Sequence, residues 1–101
     1  MIIYTVTVKI DWAIHDAWVS WMKNEHMPDV VATGCFSNSQ LMRILDVDEK
    51  DGPTYAAQYF AVSKPDYNRY IKFHSIQMRQ KSFDLWGEQF IAFRSLMQIV
   101  Q

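Results

Sequence analysis

The feature that most constrains this chain is an excess of β-forming segments that are apolar on both sides. Residues 2–10 alternate Tyr4, Val6, Val8 and Ile10 with Ile3, Thr5, Thr7 and Lys9, and their β-branched content predicts a strand. Residues 54–62 set Tyr55, Ala57, Tyr59 and Ala61 against Ala56, Gln58, Phe60 and Val62. Residues 90–100 set Phe90, Ala92, Arg94, Leu96 and Val100 against Ile91, Phe93, Met97 and Ile99. A further strand is expected over 36–47, with Leu41, Arg43, Leu45 and Val47 opposite Met42, Ile44 and Asp46. A sheet packed against helices on one face is normally polar on the other. Three of these four strands carry apolar or aromatic residues on both.

Helices are expected between the strands. Ile14, Trp18, Trp21, Met22 and Glu25 recur at helical spacing, predicting a helix over 13–26 with Asp11 as cap and Asp16 complementing the dipole. Pro28 bends it into one more turn that stops at Thr33-Gly34, where glycine accepts a positive φ. Residues 48–53 are polar turn residues and predict a hairpin. Ser63-Lys64-Pro65-Asp66 is a capping-box arrangement with proline in the first turn. It opens a second helix, expected to run to about residue 80, with the stripe Tyr67, Tyr70, Ile71, His74 and Met78. The order βαββαβ, in a single domain over 1–101, is the ferredoxin-like α+β plan: a four-stranded antiparallel sheet with both helices on one face. The uncovered apolar face then predicts a homodimer in which two open sheets join as a dimeric α/β-barrel; the alternative is a monomer with scattered exposed aromatics.

Composition excludes several function classes. With Lys+Arg 10 against Asp+Glu 11 and a formal charge of -1, nothing draws the chain to nucleic acid or an anionic membrane. The apolar runs in Met1–Tyr4 and Phe90–Phe93 are four residues long, against about 20 for a spanning helix. No export signal is expected at the N-terminus, and one Cys cannot close an intrachain disulfide, so a cytoplasmic location fits. A single Cys also excludes iron–sulfur ligation and soft-metal transport, and no metal or cofactor is expected. Asp11-Trp12-Ala13 replaces the glycine-rich phosphate loop of acylphosphatase-like chemistry. The strand 54–60 lacks the glycines and basic flanks of an RNA-recognition strand.

The remaining candidates are polar residues in apolar company. His74 falls on the helical stripe and reads as a hydrogen-bonded core residue or as a site residue. His26 closes the first helix and reads as a C-terminal cap meeting the dipole or as a general base. If both imidazoles border one cleft, Trp18, Trp21 and Tyr70 form its walls and a small planar aromatic ligand fits. Arg94 needs an anion, either a carboxylate such as Asp46, one across a subunit interface, or a ligand's acid group. His15 lies off the stripe and is expected to be solvated. Cys35 reads as a small buried apolar residue.

Several segments together carry a resemblance: residues 1–8, Trp18–Val30 with its His26-x-Pro28, Ala32-Thr33-Gly34-Cys35-Phe36, Tyr55–Phe60, and Trp86–Arg94 ending in Phe93-Arg94. They resemble a family of short bacterial proteins known only as a domain of unknown function, across nearly the whole chain. That family is similar in plan to the dimeric α/β-barrel group, which includes cofactor-free monooxygenases of aromatic polyketides, haem-degrading enzymes and small stress-response barrels. The resemblance implies a fold but no catalytic residues. A family-like Ala-Pro pair in the second helix is replaced by Ser75-Ile76, which is expected to straighten that helix near His74. Three functions follow as expectations. The first is a small-molecule-binding or non-enzymatic dimeric module. The second is a cofactor-independent monooxygenase or isomerase, acting on an aromatic or carbonyl substrate with His26 or His74 as general base. The third is haem or metal binding through an exposed His.

Overall fold

A computed structural model describes residues 1–101. Its elements are β1 (Ile2–Ile10), a 3-10 turn (Trp12–Ile14), α1 (His15–Trp21), a π-helical turn (Met22–His26), α2 (Met27–Ala32), β2 (Asn38–Arg43), β3 (Thr54–Ala61), α3 (Lys64–Phe73), α4 (Ser75–Trp86) and β4 (Phe90–Gln98). The four strands form one sheet in the order β2-β3-β1-β4, and every neighbouring pair is antiparallel. This is the ferredoxin-like α+β arrangement, with β1 and β3 in the centre and β2 and β4 at the edges.

The register fixes both faces. Tyr4 opposes Tyr59 and Leu96, and Val6 opposes Ala57 and Arg94, so these residues share the face carrying the helices. Its core joins Tyr4, Val8 and Ile10 of β1 to Trp18, Met22 and Val30 of the first helical run, Tyr59 of β3 and Tyr70 of α3. Aromatic rings dominate it. Tyr4 packs on Phe36 at a centroid distance of 6.1 Å and on Tyr70 at 5.9 Å, while Phe36 meets Tyr70 edge-on at 5.0 Å.

The opposite face is banded rather than uniformly apolar. Asn38, Phe60, Ile3 and Met97 form one row across the sheet, and Met42, Ala56, Thr7 and Phe93 form another. Between them lies the polar row Gln40, Gln58, Thr5 and Ser95, in which Gln40 Nε2 donates to Gln58 Oε1 at 2.8 Å. Ile91 is 72% and Phe93 63% exposed. No element of the chain covers these rows.

Several sequence expectations need correction. The first helical run takes one more turn past Pro28, as expected, but its departure from α geometry lies before the proline. It continues from His15 to Ala32 by widening into a π turn, with the Met27 amide donating to the Met22 carbonyl, and Pro28 sits in the first turn of α2, where its missing N–H costs nothing. Asp11 makes no side-chain cap. Strand β2 ends at Arg43 rather than near Val47, because Asp46 takes a φ of 61°, outside the strand region. The second helix is neither straight nor finished at residue 80: it breaks at His74, whose φ of −130° is not helical, and resumes to Trp86. There the Ser75 hydroxyl donates to the Ile71 carbonyl at 2.9 Å, a back-bond that bends helices. Ser63 accepts from the Asp66 amide as a capping residue should, and Gly34 holds a φ of 81°.

One glycine is sterically required. Gly52 is buried against β1, and a Cβ there would collide with the backbone carbonyl oxygen of Ile10. Next to it the Ile10 amide donates to the Pro53 carbonyl at 3.1 Å. Because the obstacle is backbone, Gly52→Ala is expected to destabilise the fold by about 2 kcal/mol, read as a lower urea midpoint with an unchanged slope. An unshifted midpoint would contradict this close approach.

Candidate functional site

A cavity lies between the helix layer and the sheet, lined from β1 by Tyr4, Val6 and Val8, from the first helical run by Trp18, Met22 and His26, from β3 by Tyr59, and from α3 by Tyr70. Its remaining wall comes from α4, with Met78, Arg79 and Ser82, and from β4, with Phe90, Ala92 and Arg94. The space open to the centres of water molecules is about 50 Å³. A sphere of that size, widened by a water radius of about 1.4 Å, encloses roughly 200 Å³, enough for one ring and a small polar group.

The polar atoms around it are poorly satisfied from within the chain. Tyr4, Tyr59 and Tyr70 are buried, and none of their hydroxyls takes part in an intrachain hydrogen bond, whereas the Tyr55 hydroxyl meets His15 Nε2 at 2.7 Å. Burial holds the Tyr59 and Tyr70 phenols well above their ordinary pKa, and each neighbouring phenol adds to the effect. They therefore remain protonated donors at neutral pH. Arg79 and Arg94 are exposed at the rim, both act on the Tyr70 hydroxyl to oppose its rise, and neither has a carboxylate within 4.0 Å; the ion pairs of the chain are elsewhere. The expected internal pairing of Arg94 with Asp46 does not form.

His26 stands at the end of the π turn, a helical irregularity frequent at functional sites. Its ring stacks on Trp21 at 4.5 Å between centroids, and Trp21 meets Trp86 edge-on at 5.7 Å. The imidazole borders both the inner cavity and an outer groove shared with Trp21, Asp29 and Lys81. Burial lowers its pKa to about 4, with Asp29 opposing and Lys81 reinforcing the shift. It is thus a neutral ring at pH 7 and not the charged helix cap that its position in the sequence allows.

Of the six residues expected to bind a ligand, Trp18, His26, Tyr70 and Arg94 line the cavity, while Trp21 and His74 do not. Trp21 supports His26 from behind. His74 sits at the α3–α4 break, stacked on Tyr70 at 6.2 Å, so the two imidazoles do not share a cleft. His15, expected to be solvated, is instead half-buried between Trp12 and Tyr55. Sequence reasoning missed Tyr4, Tyr59 and Arg79. The first two were legible as a cross-strand pair on the helix face; Arg79 lies off every apolar stripe and gave no signal. Cys35 is buried, and no group of three or more His, Cys, Asp or Glu side chains could hold a metal ion.

Over residues 1–100 the sequence matches the family described as a domain of unknown function, DUF4286. The chain belongs to this family. No curated protein matches it. Among solved structures it is similar to a dimeric ferredoxin-like protein from an uncultured marine organism, at 7% identity and a TM-score of 0.73, covering 99% of this chain and 95% of that one. It is also similar to an ethyl tert-butyl ether D (EthD) family protein of Bacillus halodurans, at 10% identity and TM-score 0.68, covering 98% and 100%. An EthD-like protein of Ralstonia eutropha follows at 11% and 0.65, covering 98% and 93%. At such identities the likeness is one of fold. It places this DUF4286 chain among ferredoxin-like domains, and no helix of the chain is long and apolar enough to cross a membrane.

Proposed function

We propose that this DUF4286 protein is a single-domain, homodimeric small-molecule-binding module of a reducing, cytoplasmic compartment, taking a compact planar ligand between its helices and its sheet. The observation that carries the reading is the cavity itself: three buried tyrosines without intrachain hydrogen-bond partners converge on a space for one ring, under an apolar wall from Trp18 and Met22. The buried side-chain atoms left without a partner are Thr5 Oγ1 and Trp86 Nε1 rather than these phenols, so the three hydroxyls stay accessible from the cavity, where they suit a ligand's oxygen atoms or ordered water. Dimerisation is supported by the uncovered rows on the far face of the sheet, and the dimeric ferredoxin-like protein of similar fold is a precedent for the arrangement. Two copies related by a two-fold axis would bury the Phe60–Ile3–Met97 and Phe93 bands and oppose their polar rows.

The runner-up reading is a cofactor-independent oxygenase or isomerase with His26 as general base, favoured by a neutral imidazole at the cavity wall. Magnitude decides against it as the first choice. A base is most effective with a pKa near the working pH, and His26 at about 4 is roughly three units too weak. The phenols, held protonated, are donors rather than nucleophiles.

The test is a titration with single-ring phenols followed by tryptophan fluorescence and amide NMR shifts. Saturable changes confined to cavity residues, and weakened by filling the space with Val6→Phe, are the expected result. Shifts scattered over the surface, indifferent to that substitution, would refute the reading.

A further inference from the structure

We propose that the ligand is anionic, a one-ring carboxylic acid whose carboxylate is read at the cavity rim by Arg79 and Arg94 while its ring enters toward the tyrosines. This deepens the binding reading and rests on it. The two arginines come from different elements, α4 and β4, both line the cavity, and both are close enough to the Tyr70 hydroxyl to act on it. Each is without a carboxylate partner, although the chain's other well-placed arginines are paired: Arg43 holds Glu49 through two bonds of 3.1 and 2.7 Å, and Arg69 holds Asp66 at 3.0 Å. Arginines are suited to planar, two-point recognition of a carboxylate.

No acidic residue lines the cavity, whose other polar groups are phenols, Ser82 and the neutral His26. The two arginines are thus the only full charges at the cavity, and without a carboxylate beside them they favour an anionic ligand over a cationic one, for which only ring faces and neutral acceptors are left. The depth of the space sets the size. Its limited volume admits one ring, and the hydroxyls of Tyr4, Tyr59 and Tyr70 suit a further acceptor oxygen on it. Arg94 lies on the edge strand and is exposed, so a carboxylate there keeps part of its hydration and the full desolvation cost of a buried charge is avoided.

The experiment compares 4-hydroxybenzoate with the neutral 4-hydroxybenzyl alcohol on the full-length protein and on the double variant Arg79→Gln, Arg94→Gln, with thermal melting to verify that the variant is folded. The acid is expected to bind the native protein about tenfold or more tightly than the alcohol, with a preference that shrinks as salt rises and vanishes in the double variant. Equal affinity for acid and alcohol in both proteins would overturn the anion assignment and leave the binding reading intact. Absence of saturable binding by either compound at millimolar concentration would overturn both.

Discussion

Phe93→Asp is expected to convert the proposed dimer into a folded monomer. In the isolated chain Phe93 is 63% exposed, so a carboxylate at this position meets water and disturbs the fold little. In a dimer joined through the open sheet, the same carboxylate is buried twice, once from each copy, without a cation directly opposite it, because its β1 partner is Thr7 while Lys9 pairs with Ile91. Uncompensated burial of charge costs several kcal/mol per group, and each 1.4 kcal/mol weakens association tenfold. Association should therefore weaken by three or more orders of magnitude in favour of the monomer, seen as halved mass in light scattering with unchanged far-ultraviolet circular dichroism. Ile99→Asp, at the end of the same apolar line, should act in the same direction. A Phe93→Asp protein that remains assembled would place the interface elsewhere.

The second large effect is a pH dependence centred on His26. Its pKa is about 4 in the folded chain against an ordinary 6.5. Between those values the unfolded chain takes up a proton that the folded chain refuses, so stability increases with pH through this window. The native state keeps its full contribution above about pH 6.5, loses it progressively as pH falls toward 4, and has lost all of it below 4. The depressed pKa corresponds to about 3 kcal/mol. Asp29 and Lys81, which face the ring from α2 and α4, set the remaining balance. His26→Gln should remove this component, so that the difference in unfolding free energy between the two proteins narrows by about that amount from pH 7 to pH 4. Parallel pH profiles would mean that the imidazole is freely solvated.

The strand faces were legible in the sequence because period-two alternation survives in β1, β3 and β4, and the two-faced hydrophobicity of those strands pointed to an uncovered surface before the register was visible. What alternation could not reveal was the polar row: Thr5, Gln58 and Ser95 are single polar residues in three distant segments, and only pairing aligns them with Gln40. The helices were legible in position but not in shape. Neither the π turn at Met22–His26 nor the break at His74 follows from a 3.6-residue stripe, and each relocates a histidine. The π turn brings His26 to the cavity, whereas the break leaves His74 outside it. Arg94 could be singled out as a cation in an apolar strand needing an anion, but its rim partner Arg79 sits on an exposed helix face where an arginine is unremarkable until β4 is folded against it.

Sedimentation velocity of the unmodified protein over a range of micromolar concentrations tests most directly whether a second copy covers the apolar rows of the sheet. A single boundary at twice the chain mass, giving way to half that mass for Phe93→Asp, is the predicted result. A boundary at the mass of one chain at every concentration, with Ile91 and Phe93 open to solvent in a stable monomer, would contradict it.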